Sequence, residues 1–431
     1  MLSRSLTTAL VLIALLAGSV SATSLIGGGI PSKVGTQVLR WRGPNPRIQI
    51  EVSTSLTQPG SNIKVDSDVI TAINKSFEAW QDAADVAFTW ETTDRSNASP
   101  AGATGDGVSL ITIAATAENA LLFSTRDSVN EAAKTRLFYN SRGFITEADI
   151  VLNPYQQFST DGTFGTFDLQ STLTHEIGHL LGLKHSAVMG STMSPHFSKN
   201  GLFGLPELGL RALDESDISA VRELYDAKND DLCCAAISGK LPPTALRGAK
   251  ALHVWAEDSV TGRVTGLSDV AADGSFNLAG MASATYNVFW QRIDESNAAS
   301  VGGLGTYSIA NNENKVLPES KMLARRAMPA VDYIGMNAQL ADSAIDLVHA
   351  QDYTLYLGGS DIDPSSISIV STSPGIKVDA STLTRQDFGN GVSALSFHVE
   401  TSADIKPGSY TLFINRADGA RSALVGALKV E

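Results

Sequence analysis

Three of the chain's seven histidines fall within residues 175–185, which read HEIGHLLGLKH. His175 and His179 are four apart, so on a helix of about 3.6 residues per turn they stand one above the other and can grip one metal ion. Glu176 follows the first of them, which puts a carboxylate beside the metal without making it a ligand, in position to take a proton from water. His185 cannot join them on a continuous helix, because six residues would carry it roughly 9 Å along the axis and well round it. The chain must turn back, and Gly182 can let it, since glycine reaches positive φ at little cost. Imidazole nitrogens suit Zn²⁺, and three protein ligands leave a fourth position for water, the open arrangement of a catalytic site. Surface histidines beside an incidental acid would explain the composition but not the spacing.

The stretch resembles the metzincin signature HExxHxxGxxH, and the residues after His185, SAVMGSTMSPHF, are similar to the matrixin branch. That resemblance implies an α+β catalytic domain, a mixed twisted sheet with an active-site helix and a C-terminal helix, and the activity of a zinc endopeptidase with one catalytic Zn²⁺. Met193 would be the Met-turn residue, an apolar floor beneath the zinc that does not bind it. Pro195, His196 and Phe197 would form the S1′ wall, with Phe197 where the family has tyrosine, and an apolar P1′ residue would be preferred. Asp217 matches an acid that supports the Met-turn in the family, although a solvated carboxylate at a helix start would look the same. Many matrixins stay latent through a propeptide cysteine, and this chain has no cysteine before Cys233.

Several elements must position these residues. Arg47 to Val52 alternates Ile48, Ile50 and Val52 with polar residues, the pattern of a half-buried strand. Asp66 or Ser67 then caps a helix whose Val69, Ile73, Phe77 and Trp80 recur on one face. Val86, Phe88 and Trp90 alternate as a second strand, and residues 108–113 form a third. The edge strand that would receive an extended substrate is placed at Thr135 to Tyr139, with Leu121 to Thr125 as the alternative. Ile145 to Leu152 is the next strand, and Ca²⁺ held by Asp149, Asn153 or nearby carbonyls is a second metal to look for there. Asp168 caps the helix carrying His175, and Leu213 to Asp226 reads as a final helix.

With 431 residues, two or three domains are expected. A net charge of −13 and no basic stripe disfavour nucleic acid as a partner. The apolar run near Leu6 to Ala17, ending in small residues, predicts a signal peptide over 1–22, a flexible leader over 23–36, and a secreted, periplasmic or cell-surface protein with no stable membrane insertion. The catalytic domain is expected over 37–227. Short alternating strands then predict two β-sandwich modules, over 235–330 and, Ig-like, over 336–431, with Asp294 to Val331 partly loop; in the first, ADGSFNLAGM followed by ATYNVFW resembles the carboxypeptidase-regulatory-like fold. Cys233 and Cys234 are adjacent, able to form a vicinal or an intermolecular disulfide but not a fold-wide staple. His253, His349 and His398 stand singly and read as packing or surface residues. Protein or peptide substrates follow from the zinc reading. The competing reading is a surface-binding or adhesive protein whose zinc domain is a non-proteolytic scaffold.

Overall fold

The computed structural model describes residues 19–21, 32–34, 37–58, 60–102, 104–125, 130–196, 198–228, 233–318, 326–359, 362–387 and 393–431. The expected signal peptide falls outside these but for the backbone of β1 (Ser19–Ser21), and Phe197 lies outside them.

The strands after β1 are β2 (Lys33–Val34), β3 (Gln37–Val38), β4 (Arg47–Ser53), β5 (Ala87–Thr93), β6 (Ser109–Thr112), β7 (Ala133–Tyr139) and β8 (Ile145–Leu152). The main sheet runs in the order β1-β7-β8-β6-β4-β5. β8, β6, β4 and β5 are mutually parallel, whereas β7 is antiparallel to β8. β4 alternates as its sequence predicts, with Ile48, Ile50 and Val52 buried. In β8 only Thr146 is exposed, as suits a strand covered on both faces.

Four helices accompany the sheet: α1 (Val69–Ala83), α2 (Ala117–Leu121), α3 (Leu169–Leu180) and α4 (Glu215–Tyr225). α1 buries Val69, Ile73, Phe77 and Trp80 as their spacing requires. Its cap is Asp68, whose carboxylate accepts the Thr71 amide at 3.0 Å, and not Asp66 or Ser67. The Trp80 indole donates to the Thr174 carbonyl at 2.8 Å and so ties α1 to α3 inside one core. α2 occupies part of the stretch weighed as an alternative edge strand, and β7 is outermost but for the three residues of β1 that pair with it.

Beyond α4 a three-stranded sheet centred on Ala235–Lys240 faces a five-stranded sheet containing Ala249–Asp258 and Ala284–Asp294. Ile237, Val254, Phe276, Tyr286 and Trp290 fill the space between them. Ala298–Ile309, within the stretch read from sequence as partly loop, is a strand of the larger sheet. Gly302 lies under the Trp290 indole, where a Cβ would collide, and such glycines dilute the alternating pattern. A second sandwich pairs a five-stranded with a four-stranded sheet around Ile334, Leu355, Phe397, Leu412 and Leu428. Cys233 and Cys234 are joined as a disulfide.

The two sandwiches and the first domain share a further core of Val188, Trp255, Val264, Leu267, Val301, Phe413, Ala423 and Val425. Val188 lies between His185 and Met193, and the next amide, Met189 N, donates to Val425 O at 2.9 Å. Lys184 pairs with Asp269, and Arg263 with Glu215 at 3.3 Å. The segment carrying the third histidine is therefore held from outside by both sandwiches. Among the described residues no helix is long and apolar enough to cross a membrane.

Candidate metal centre

α3 is buried along its length apart from Gln170, which is unusual for a helix carrying two histidines and a glutamate. Its N-terminus is fixed by Asp168, whose carboxylate accepts the Ser171 amide at 2.8 Å and is gripped by Arg211 at 2.6 and 3.0 Å. Its C-terminal carbonyls are met from two directions. Trp41 Nε1 donates to Leu180 O at 2.8 Å, and the Tyr225 hydroxyl to Leu181 O at 2.6 Å. Gly182 then takes φ +101°, and a Cβ there would strike the Leu39 carbonyl, so the turn requires glycine. The chain reverses, and His185 comes back over α3.

The reversal brings the ligand atoms of His175, His179 and His185 within 4.8 Å of one another. Ring centroids lie 4.6, 5.2 and 4.8 Å apart. His175 Nδ1 is 2.7 Å from Thr192 O and His179 Nδ1 is 2.8 Å from Leu183 O. A carbonyl only accepts, so both Nδ1 atoms carry the proton and the lone pair sits on Nε2. Burial is the main force pulling all three imidazoles below their ordinary value, His175 well below it, His179 to about 4 and His185 to about 3. At neutral pH they are uncharged, the state that binds a metal. An all-nitrogen set with its tautomers fixed from behind fits zinc.

Glu176 faces the same cleft and is 5% exposed, low enough for desolvation to govern it. Burial pushes its carboxyl up to about 7, against the Thr135 hydroxyl, which donates to Oε2 at 2.5 Å. A carboxyl near neutrality can both accept and return a proton. Thr135 lies on β7, so the strand at the cleft's rim also holds this acid. The cleft, about 960 Å³ of space open to solvent, runs between residues 130–134 and the Pro195–His196 segment.

Met193 is buried and packs against Gly178, between the two helical histidines, and against Trp80. The turn that presents it hangs on Asp217. That carboxylate accepts Ser191 Oγ at 2.5 Å, Thr192 N at 2.7 Å and Met193 N at 3.3 Å. Buried, and facing Asp214, Asp217 is raised above the usual carboxylate range, and it is not the solvated helix-start acid that its sequence position also allowed.

Asp149 and Asn153 do not gather a calcium site. Asp149 accepts the Ser99 and Leu110 amides at 2.7 and 3.1 Å, and Asn153 bonds Glu131 O and Tyr155 N. Among the described residues the three histidines are the group of three or more His, Cys, Asp or Glu side chains near enough to hold an ion.

Residues missed from sequence are Thr135 and, from the last sandwich, Asp342 and Ser343, which also line the cleft. Asp342 Oδ2 is 2.9 Å from His196 Nδ1, and Ser198 and Ser343 hydroxyls meet at 2.8 Å across 145 residues of chain. Nothing in local spacing signals contacts over that separation.

Residues 125–226 match the family model described as matrixin. No curated protein matches the chain. Solved structures of low likeness include a Bacteroides ovatus mixed-linkage glucan utilization locus protein, SGBP-B, in complex with a mixed-linkage heptasaccharide, at 15% identity and TM-score 0.17 over 42% of this chain and 37% of that one. A putative membrane anchored protein from Corynebacterium diphtheriae is 10% identical at TM-score 0.18, over 46% of this chain and 58% of that one. The chain thus spans less than two thirds of either, and likenesses this slight bear on neither fold nor function. The family match spans α3, the triad, the Met-turn and α4, and with the geometry above it makes residues 125–226 a matrixin-like metalloprotease domain, followed in this chain by β-sandwich modules.

Proposed function

We propose that the chain is a secreted zinc-dependent endopeptidase. The observation that carries this reading is the meeting of three neutral imidazoles with a buried, near-neutral glutamate in one open cleft. His175, His179 and His185 would hold the zinc. When bound there, zinc makes water more acidic and polarises a peptide carbonyl. Glu176 takes the proton from the attacking water and returns it to the leaving amine. Thr135 keeps the Glu176 carboxylate aimed and partly offsets the burial that would otherwise hold its proton too tightly. β7 offers its backbone to an extended substrate, and the pairing of Ser19–Ser21 with it supports that edge as one able to accept a strand.

Secretion is supported by the composition of residues 1–22. The sandwiches serve to hold the His185–Met193 segment, and a targeting role can coexist with that. A purely adhesive protein has no need of a buried acid beside the triad, and Glu176 favours the enzyme. Proteolysis of casein or gelatin, abolished by a zinc chelator and restored by added zinc, is the expected outcome. Cleavage that persists in fully zinc-depleted protein would refute the assignment.

A further inference from the structure

His196 and Asp342 meet across two domains at the rim of the cleft, and neither has a part in the proton path through Glu176. His196 borders the same space as the three ligand imidazoles and Glu176. Burial and His179 lower His185 first and His196 next, so the His196 ring lies within electrostatic reach of that ligand. Both members of the pair are carried on fixed backbone. His196 stands three residues beyond Met193, on the turn that Asp217 holds and that Ser194 N closes on Ser191 O at 3.0 Å. Asp342 belongs to a loop of the last sandwich that is fastened to the first domain. There Asn337 Nδ2 donates to Phe203 O at 2.6 Å, Phe203 N donates to Gln339 Oε1 at 2.5 Å, and the Ser198 and Ser343 hydroxyls meet at 2.8 Å.

Asp342 Oδ2 is 2.9 Å from His196 Nδ1. A carboxylate only accepts, so Nδ1 carries a proton. The same bond holds the Asp342 carboxyl below its ordinary value, and it is ionised at neutral pH. With Nδ1 committed, Nε2 is the nitrogen left for a bound peptide. Histidine takes a second proton readily near neutrality, and Nε2 then becomes a cationic donor whose countercharge already stands on Asp342. Neighbouring charges are engaged elsewhere: Glu131 pairs with Lys134 at 3.0 Å across the cleft, and Asp168 with Arg211 at 2.6 Å behind it. Among the described residues Asp342 is the carboxylate within ion-pair distance of His196.

We propose that His196 is a catalytic residue and Asp342 its positioning residue, with Nε2–H donating a hydrogen bond to the scissile carbonyl oxygen as that oxygen becomes negative. The water oxygen bonds to the carbonyl carbon, its proton passes to Glu176, and the displaced carbonyl electron pair moves onto the oxygen facing His196, which keeps its own proton. When the C–N bond breaks, that pair returns to the carbonyl and the departing amine takes the proton from Glu176. A donor aimed at charge that develops only in the transition state raises kcat and leaves KM nearly alone. The inference rests on the endopeptidase reading and gives His196 more than the wall that the resemblance implies. It also makes the last sandwich part of the active site.

Kinetics of the full zinc-loaded chain on one peptide test it. An unsubstituted chain that cleaves no peptide would remove the endopeptidase and this role together. Where it cleaves, His196→Ala should lower kcat by about 10- to 100-fold with KM within about twofold, short of the loss for a fully buried donor because His196 is half-exposed. Affinity for a peptide with a tetrahedral phosphonamidate in place of the scissile amide should fall by the same factor, while affinity for the product peptides holds. Asp342→Asn leaves an oxygen for Nδ1 to donate to and removes only the charge, so a merely structural contact would survive it. Its kcat should drop about three- to tenfold at unchanged KM and urea midpoint, a result that decides the matter even if the alanine chain does not fold. Unchanged kcat in His196→Ala, or a change in KM alone, would overturn the inference while the endopeptidase stands. So would an Asp342→Asn chain with the kinetics of the unsubstituted one.

Discussion

Replacing Asp217 by alanine should loosen the metal centre from a distance. Its carboxylate is the acceptor for Thr192 N and Asp214 N, at 2.7 and 3.0 Å, and for the Ser191 hydroxyl. The hydroxyl can rotate, and Met193 N keeps Ser191 Oγ at 2.9 Å, but the other two amides would be left buried without an acceptor. Each orphaned amide costs about 1–3 kcal/mol, partly offset because the acid itself is desolvated, so a net loss of about 3 kcal/mol is expected. Thr192 O also orients His175 through Nδ1, so zinc affinity should drop by about 10- to 100-fold, the usual effect of disturbing a ligand's hydrogen-bond partner. Urea unfolding of the zinc-free chain measures the first effect and competition with a chromophoric chelator the second. An Asp217→Ala chain with unmoved midpoint and unmoved zinc affinity would refute the claim that this carboxylate holds the turn.

Thr135→Val removes the hydroxyl that lowers the Glu176 carboxyl, so the acid limb of the kcat/KM profile should move to higher pH and activity near neutrality fall about tenfold. Phe413→Ala should cost about 3–5 kcal/mol and weaken zinc retention, because Phe413 is fully buried against Trp255 and Phe289 in the core that also contains Val188. In the zinc-free chain, Glu176 keeps its proton in the fold and loses it on unfolding between 4.5 and about 7. Its own contribution therefore falls by about 3 kcal/mol as pH rises through that window, opposite in sign to the three lowered imidazoles, so the urea midpoint of Glu176→Gln relative to the unsubstituted chain should rise with pH between 4.5 and about 7.

What was legible in the sequence is what short-range geometry dictates. Four-residue spacing sets His175 over His179, and a residue type that alone tolerates φ +101° marks the reversal at Gly182. Val69, Ile73, Phe77 and Trp80 announce α1 by the same helical period, although three polar residues in a row at its start hid which one caps it. Thr135 was hidden because a threonine in a strand is ordinary, and only the third dimension brings it under Glu176. Val188 reads as one more apolar residue until two later domains close over it. Asp342 and Ser343 were hidden for the same reason, since a loop of one sandwich becomes a wall of the cleft only after the domains pack.

The most direct test is zinc content and peptide turnover measured together on purified Glu176→Gln protein. One zinc per chain with turnover abolished is the predicted result, because the three imidazoles hold the metal and the glutamate moves the proton. Turnover equal to that of the unsubstituted chain, or a chain that takes up no zinc with all three histidines intact, would contradict the account.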